Sequence, residues 1–144
     1  MKPNAEIAGQ FDRMFQALLD VHQSTRSHPE RREVSRVCLH TAEALENYMS
    51  DVPPPNYGGR LAKGIRSRPG TPEVADAELA ACIEGTQQDT RRYLETLDLT
   101  SEKDAWGMPP LKRVLYVMRH TQYHLGQISR LVDGTYDINK LCQL

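Results

Sequence analysis

Apolar residues recur at intervals of three and four along four separate stretches of this chain. Ile7, Phe11, Met14, Phe15, Leu18 and Leu19 form the first stripe, which predicts an amphipathic helix over about 6–25 with His22 continuing its apolar face. The second stripe, Val34, Val37, Cys38, Thr41, Leu45 and Tyr48, predicts a helix over about 29–50. Its opening, SHPE at 27–30, sets Ser27 and Glu30 at capping-box spacing, with Pro29 in the first turn where its missing donor costs nothing. A third helix is expected over about 72–98, with Thr71 as cap, Pro72 as first helical residue and Leu79, Ile83, Thr86, Thr90, Tyr93, Leu94 and Leu97 inward. Gly85 weakens its middle slightly. Pro109 and Pro110 lead into a fourth over about 109–133, which Gly134 stops, and residues 135–144 read as a docked or frayed tail.

Between the second and third stripes, residues 51–72 hold five prolines and four glycines, which excludes a regular element of any length. No alternating pattern long enough for a strand occurs. The fold expected is therefore all-α: one domain over 1–144, a four-helix bundle with a long crossover loop between helices two and three.

The stripe of the fourth helix carries the candidate chemistry. His120 and His124 are four residues apart, and at about 100° per residue they point the same way, one turn above each other. Val117, Gln127, Ile128 and Leu131 lie on or beside their line, so the pair is expected to face the bundle interior. Two stacked imidazoles there need something that accepts from or coordinates their ring nitrogens, and a metal ion would do so. Spacing alone leaves hydrogen-bonded core histidines as the plainer alternative. His40, beside the apolar stripe of helix two, could face the pair as a third ligand. His22 competes for that place, but near a helix end exposure or a cap to terminal carbonyls accounts for it, and His28 before Pro29 reads as solvated.

Composition narrows the function classes. The 144 residues carry 18 basic and 19 acidic side chains, a balance that gives neither nucleic acid nor an anionic membrane a field to bind. The start lacks the apolar core of a signal peptide and no run is long enough to span a bilayer, so the chain reads as cytoplasmic. Cys38, Cys82 and Cys142 are odd in number and widely spaced, as reduced core thiols would be.

Several chemistries lack their residues. Thr121 stands where a zincin places the glutamate base after its first histidine. No Glu-x-x-His of the di-iron bundles occurs, nor GxSxG, nor a phosphate-binding GxxxxGK[ST].

His40 in VCLHTAEALENYM, together with RHTQYHLGQISRLVDG at 119–134, resembles the DinB/YfiT-like superfamily. Its final helix has two histidines, then Gly-Gln, an apolar stretch and a glycine. The likeness covers all four helices, although Leu125 stands where that family often has a basic residue. The resemblance implies a divalent metal, zinc or nickel, held by His40, His120 and His124 with positions left open. It also implies a small-molecule substrate and, since members are often dimers, a homodimer. Better characterised members are thiol S-transferases or isomerases that use a low-molecular-weight thiol, so a metal-dependent S-transferase is the activity implied. A metal-dependent hydrolase and a non-catalytic, stress-associated metal-binding protein are the alternatives.

Gln127, one turn beyond His124, is a candidate to orient a ligand, with a packing contact accounting for it equally well, and Glu43, one turn after His40, is another, although a solvated carboxylate is the plainer reading there. Tyr48, Tyr57 and Trp106 are candidates to line the entrance, or to pack. Arg60, Lys63, Arg66 and Arg68 cluster in the loop and would meet the carboxylates of an anionic thiol if the loop overhangs the site. A solvated basic loop is the alternative.

Overall fold

The computed structural model describes residues 3–53, 59 and 73–132, and the helices it contains are α1 (Pro3–Ser24), α2 (Arg31–Tyr48), α3 (Asp76–Thr96) and α4 (Pro110–Leu131). Among the described residues there is no strand, as the all-α expectation requires. Most of the long loop and the tail, with Tyr57, Arg60, Lys63, Arg66, Arg68 and Cys142, lie outside the described residues.

Helix packing follows the stripes. α1 lies chiefly against α3, and α2 against α4 and α3, which gives the order α1, α3, α2, α4 around the bundle. The core is built from Phe11, Phe15 and Leu18 of α1, Val34, Val37 and Leu45 of α2, Leu79, Ile83 and Leu94 of α3, and Val114, Val117, Leu125 and Ile128 of α4. Cys38 and Cys82 are buried, and burial pushes the Cys38 thiol up to about 12.

Polar contacts at the helix ends fix directions. Asn4 at the start of α1 donates to the carbonyls of Leu94 and Leu97 at the end of α3, both at 2.7 Å, so these two helices run antiparallel. At the starts of α2 and α3, Arg31 pairs with Asp76 at 3.1 Å and Arg32 with Glu73 at 2.8 Å. At the other end the Tyr93 hydroxyl donates to Asp51 at 2.8 Å. Neighbouring α2 and α3 therefore run in the same direction.

Three boundary details depart from expectation. Ser27 does not cap α2. The helix begins at Arg31 without a side-chain cap, and in the turn before it the His28 Nδ1 accepts the Glu30 backbone N–H at 3.0 Å. α3 begins at Asp76 rather than Pro72: Ala75 is extended, and Asp76 and Glu78 supply the negative charge that the first turn favours. His22 is neither exposed nor a cap. It is 2% exposed, with Nε2 3.6 Å from Asp76 Oδ1, because α3 starts directly over the last turn of α1.

A candidate metal centre between α2 and α4

α2 and α4 each carry a His-Thr pair. In both, the threonine is buried and turns its hydroxyl back to its own helix: Thr41 donates to the Val37 carbonyl and Thr121 to the Val117 carbonyl, each at 2.7 Å. The histidine one residue earlier is rotated by about 100° from that buried line. His40, His120 and His124 are consequently half-buried, at the margin of the α2–α4 contact rather than in the interior as the stripe suggested.

The three rings converge. His120 Nε2 lies 3.2 Å from His40 Nε2 and 3.1 Å from His124 Nε2, and ligand atoms of all three fall within 4.8 Å of one another. Metal–nitrogen bonds of about 2.05 Å place neighbouring nitrogens about 3.3 Å apart in a tetrahedron and about 2.9 Å apart in an octahedron, so both observed separations fall between these values.

The protons support the same conclusion. Gln127 Oε1 lies 2.9 Å from His124 Nδ1, so His124 carries its proton there and turns an unprotonated Nε2 to the centre. If His120 Nε2 is protonated and donates to His124, its bond to His40 is lost. If it accepts from His40, two lone pairs oppose each other at 3.1 Å. Neutral rings cannot make both contacts good hydrogen bonds, whereas a cation satisfies all three lone pairs.

Burial, then the neighbouring His124 and His40, pushes His120 down to about 4. Burial, His124 and Arg36 lower His40, so both rings are neutral at neutral pH. His120 Nδ1 is buried without a hydrogen-bond partner among the described residues.

Of the other candidates, Gln127 makes the contact with the His124 ring described above. Glu43 lies half-buried on α2, three residues beyond His40. Tyr48 reaches the site indirectly. Its ring packs on Tyr116 at 5.0 Å, and Tyr116 stacks near-parallel on His120 at 6.1 Å. Burial and the hydrogen bond with Tyr116 raise the Tyr48 phenol. Trp106 is a packing residue: it stacks on Tyr48 at 5.3 Å and donates from Nε1 to the Ser50 carbonyl at 2.8 Å.

Behind this row stands a group that sequence reasoning missed. Arg113 is 1% exposed, and its guanidinium lies 5.0 Å from the Trp106 ring centre. It donates to Asp104, to the Tyr93 hydroxyl, and to the Tyr48 and Ser50 carbonyls left unpaired where α2 ends. Asp104 sits in a turn closed by Gly107 at φ +75°, a conformation natural to glycine. The available signal was Arg113's place one residue before Val114 and four before Val117, inside the apolar stripe.

No protein-family model, curated protein or solved structure matches this chain. The reading of the centre therefore rests on its own geometry. Among the described residues, no helix is long and apolar enough to cross a membrane.

Proposed function

We propose that this chain is a divalent-metal-binding protein of DinB/YfiT-like type, with zinc or nickel held by His40, His120 and His124, and that it acts as a metal-dependent thiol S-transferase on a small-molecule substrate. The observation that carries the metal reading is the convergence of three histidine Nε2 atoms, with separations of 3.1 and 3.2 Å, and the outer nitrogen of His124 anchored by Gln127. The shared direction of α2 and α3 supports the bundle type.

Three neutral nitrogen donors leave the ion its full charge and at least one open position, the arrangement of a catalytic site rather than a closed structural one. An ion bound there supplies Lewis acidity and lowers the pKa of a thiol or water beside it. The protein's own part is to orient the rings, through Gln127 for His124 and through the stacked Tyr116 for His120, and to keep His40 and His120 unprotonated at neutral pH.

The test is elemental mass spectrometry on protein purified without a histidine tag, beside the His40→Ala, His120→Ala and His124→Ala variants. About one equivalent of zinc or nickel, lost in each variant, is expected for one three-histidine site. No metal after reconstitution would overturn the reading and leave a helical bundle whose histidines are merely packed.

A further inference from the structure

Two tyrosines flank the triad on its open side. Tyr116 is 42% exposed and lies near-parallel to the His120 ring, while Tyr123 is 70% exposed and meets His124 edge-on at 5.1 Å. Seven residues apart on α4, they stand about two turns, or roughly 10 Å, from each other along the helix, with His120 between them. Leu111 and Leu115 are also exposed on α4 but lie about 140° and about 100° round the helix from Tyr116.

Tyr116 is braced from behind. Its ring packs on Tyr48, Tyr48 stacks on Trp106, and Trp106 is pinned by the Ser50 carbonyl and by the buried Arg113 guanidinium. An exposed aromatic ring fixed in this way has already given up most of the side-chain freedom that binding would otherwise cost it. Fixed aromatic faces beside convergent polar groups are what a ligand pocket uses to set orientation.

We propose that Tyr116 and Tyr123 form the walls of a subsite that receives an aromatic group, carried by the ligand one or two bonds from the atom that approaches the metal. This rests on the metal-site reading and is independent of whether the activity is transfer or hydrolysis. Both tyrosines expose ring surface beside the triad, so an aromatic ring is held there better than a saturated group of the same size.

The test uses the cobalt(II)-loaded protein titrated with benzyl mercaptan and, separately, with cyclohexylmethanethiol, following the thiolate-to-cobalt absorption band. The second thiol is matched in size and at least as apolar but has no π face. The native protein is expected to bind benzyl mercaptan about tenfold more tightly, which is what a pair of aromatic contacts supplies. Tyr123→Leu should reduce that preference about threefold while leaving cobalt stoichiometry and the circular dichroism spectrum unchanged, and Tyr116→Leu should reduce it by a similar factor in the protein that retains cobalt.

Equal affinities in the native protein, or a preference that survives in both variants, would overturn the subsite. Failure to bind cobalt at all would overturn the metal reading together with the subsite, and it would be seen before any thiol is added.

Discussion

Replacing Arg113 by methionine should destabilise the fold far more than loss of one exposed charge would. The side chain is fully buried and touches Asp104, the Tyr93 hydroxyl, and two carbonyls at the end of α2. Methionine keeps much of the volume but leaves the Asp104 carboxylate, 11% exposed, without its counter-charge and the Tyr48 carbonyl without its side-chain donor. Breaking one side of a buried pair costs about 3–5 kcal/mol. For a domain of this size that corresponds to a fall in Tm of roughly 10–15 °C.

Urea unfolding followed at once by circular dichroism and by fluorescence of the single tryptophan, which lies beside the guanidinium, measures the loss. Adding Asp104→Asn to Arg113→Met should recover at least about 1 kcal/mol, because the stranded charge is then gone. Burial alone would raise the Asp104 carboxyl, but hydrogen bonds from Arg113 and the Trp106 and Met108 amides hold it below its ordinary 3.8. The unfolded chain therefore takes up this proton first as pH falls, and the stability Asp104 contributes is present above about pH 4 and lost below it. A destabilisation under about 1 kcal/mol, or strictly additive single and double variants, would refute this account of the network.

Other outcomes follow from single contacts. Gln127→Ala should weaken metal binding about 10- to 100-fold without changing its stoichiometry, as read by competition with a chromophoric chelator; an unchanged affinity would remove Gln127 from the site. Burial first, then Arg31, holds His22 below 6.5 despite Asp76, so the unfolded chain binds this proton more readily and stability falls as pH drops below about 6.5. In metal-free protein, His22→Gln should therefore flatten the stability profile between pH 6.5 and 5 by up to about 1.4 kcal/mol per pH unit, and a profile identical to the native one would contradict the buried placement. The buried Thr86 and Thr90 hydroxyls have no hydrogen-bond partner among the described residues, so Thr86→Val and Thr90→Val should each be neutral or stabilise by about 1 kcal/mol in urea unfolding, and a clear loss in both would contradict this.

How far the chain could be read in advance depended on whether the deciding contacts were local. Four stripes at helical spacing give four helices, and the i, i+4 geometry aligns His120 with His124 and puts Gln127 within reach of His124. Boundaries were less legible, because competing local signals sit side by side. Ser27 and Glu30 have capping-box spacing, yet the His28 ring between them reaches the free amide first. Thr71-Pro72 reads as a helix start, while the acidic first turn that actually opens α3 lies four residues further on.

Phase was the subtler difficulty. A stripe at intervals of three and four defines a face only to within about one residue, or 100° of rotation, and that is the difference between Thr121 and His120. The structure buries Thr121, with Thr41 in the equivalent place on α2, so the triad sits at the edge of the bundle. That displacement is what makes a centre open to small molecules conceivable.

Arg113 shows the limit of pattern reading from the opposite side. As a charged residue inside an apolar stripe it looks like a break in the pattern, and the groups that make its burial tolerable lie on three other segments, Tyr48 and Ser50, Tyr93, and Asp104. A buried arginine is legible only when its partners are known, and those arise from tertiary contact. Because the same residue braces Trp106, Tyr48 and through them Tyr116, the geometry on one side of the triad depends on a polar network at the far end of α2. Substitutions at Asp104 or Arg113 should therefore disturb the stacking on His120 before they disturb the three ring nitrogens, whose positions are set by α2, α4 and Gln127.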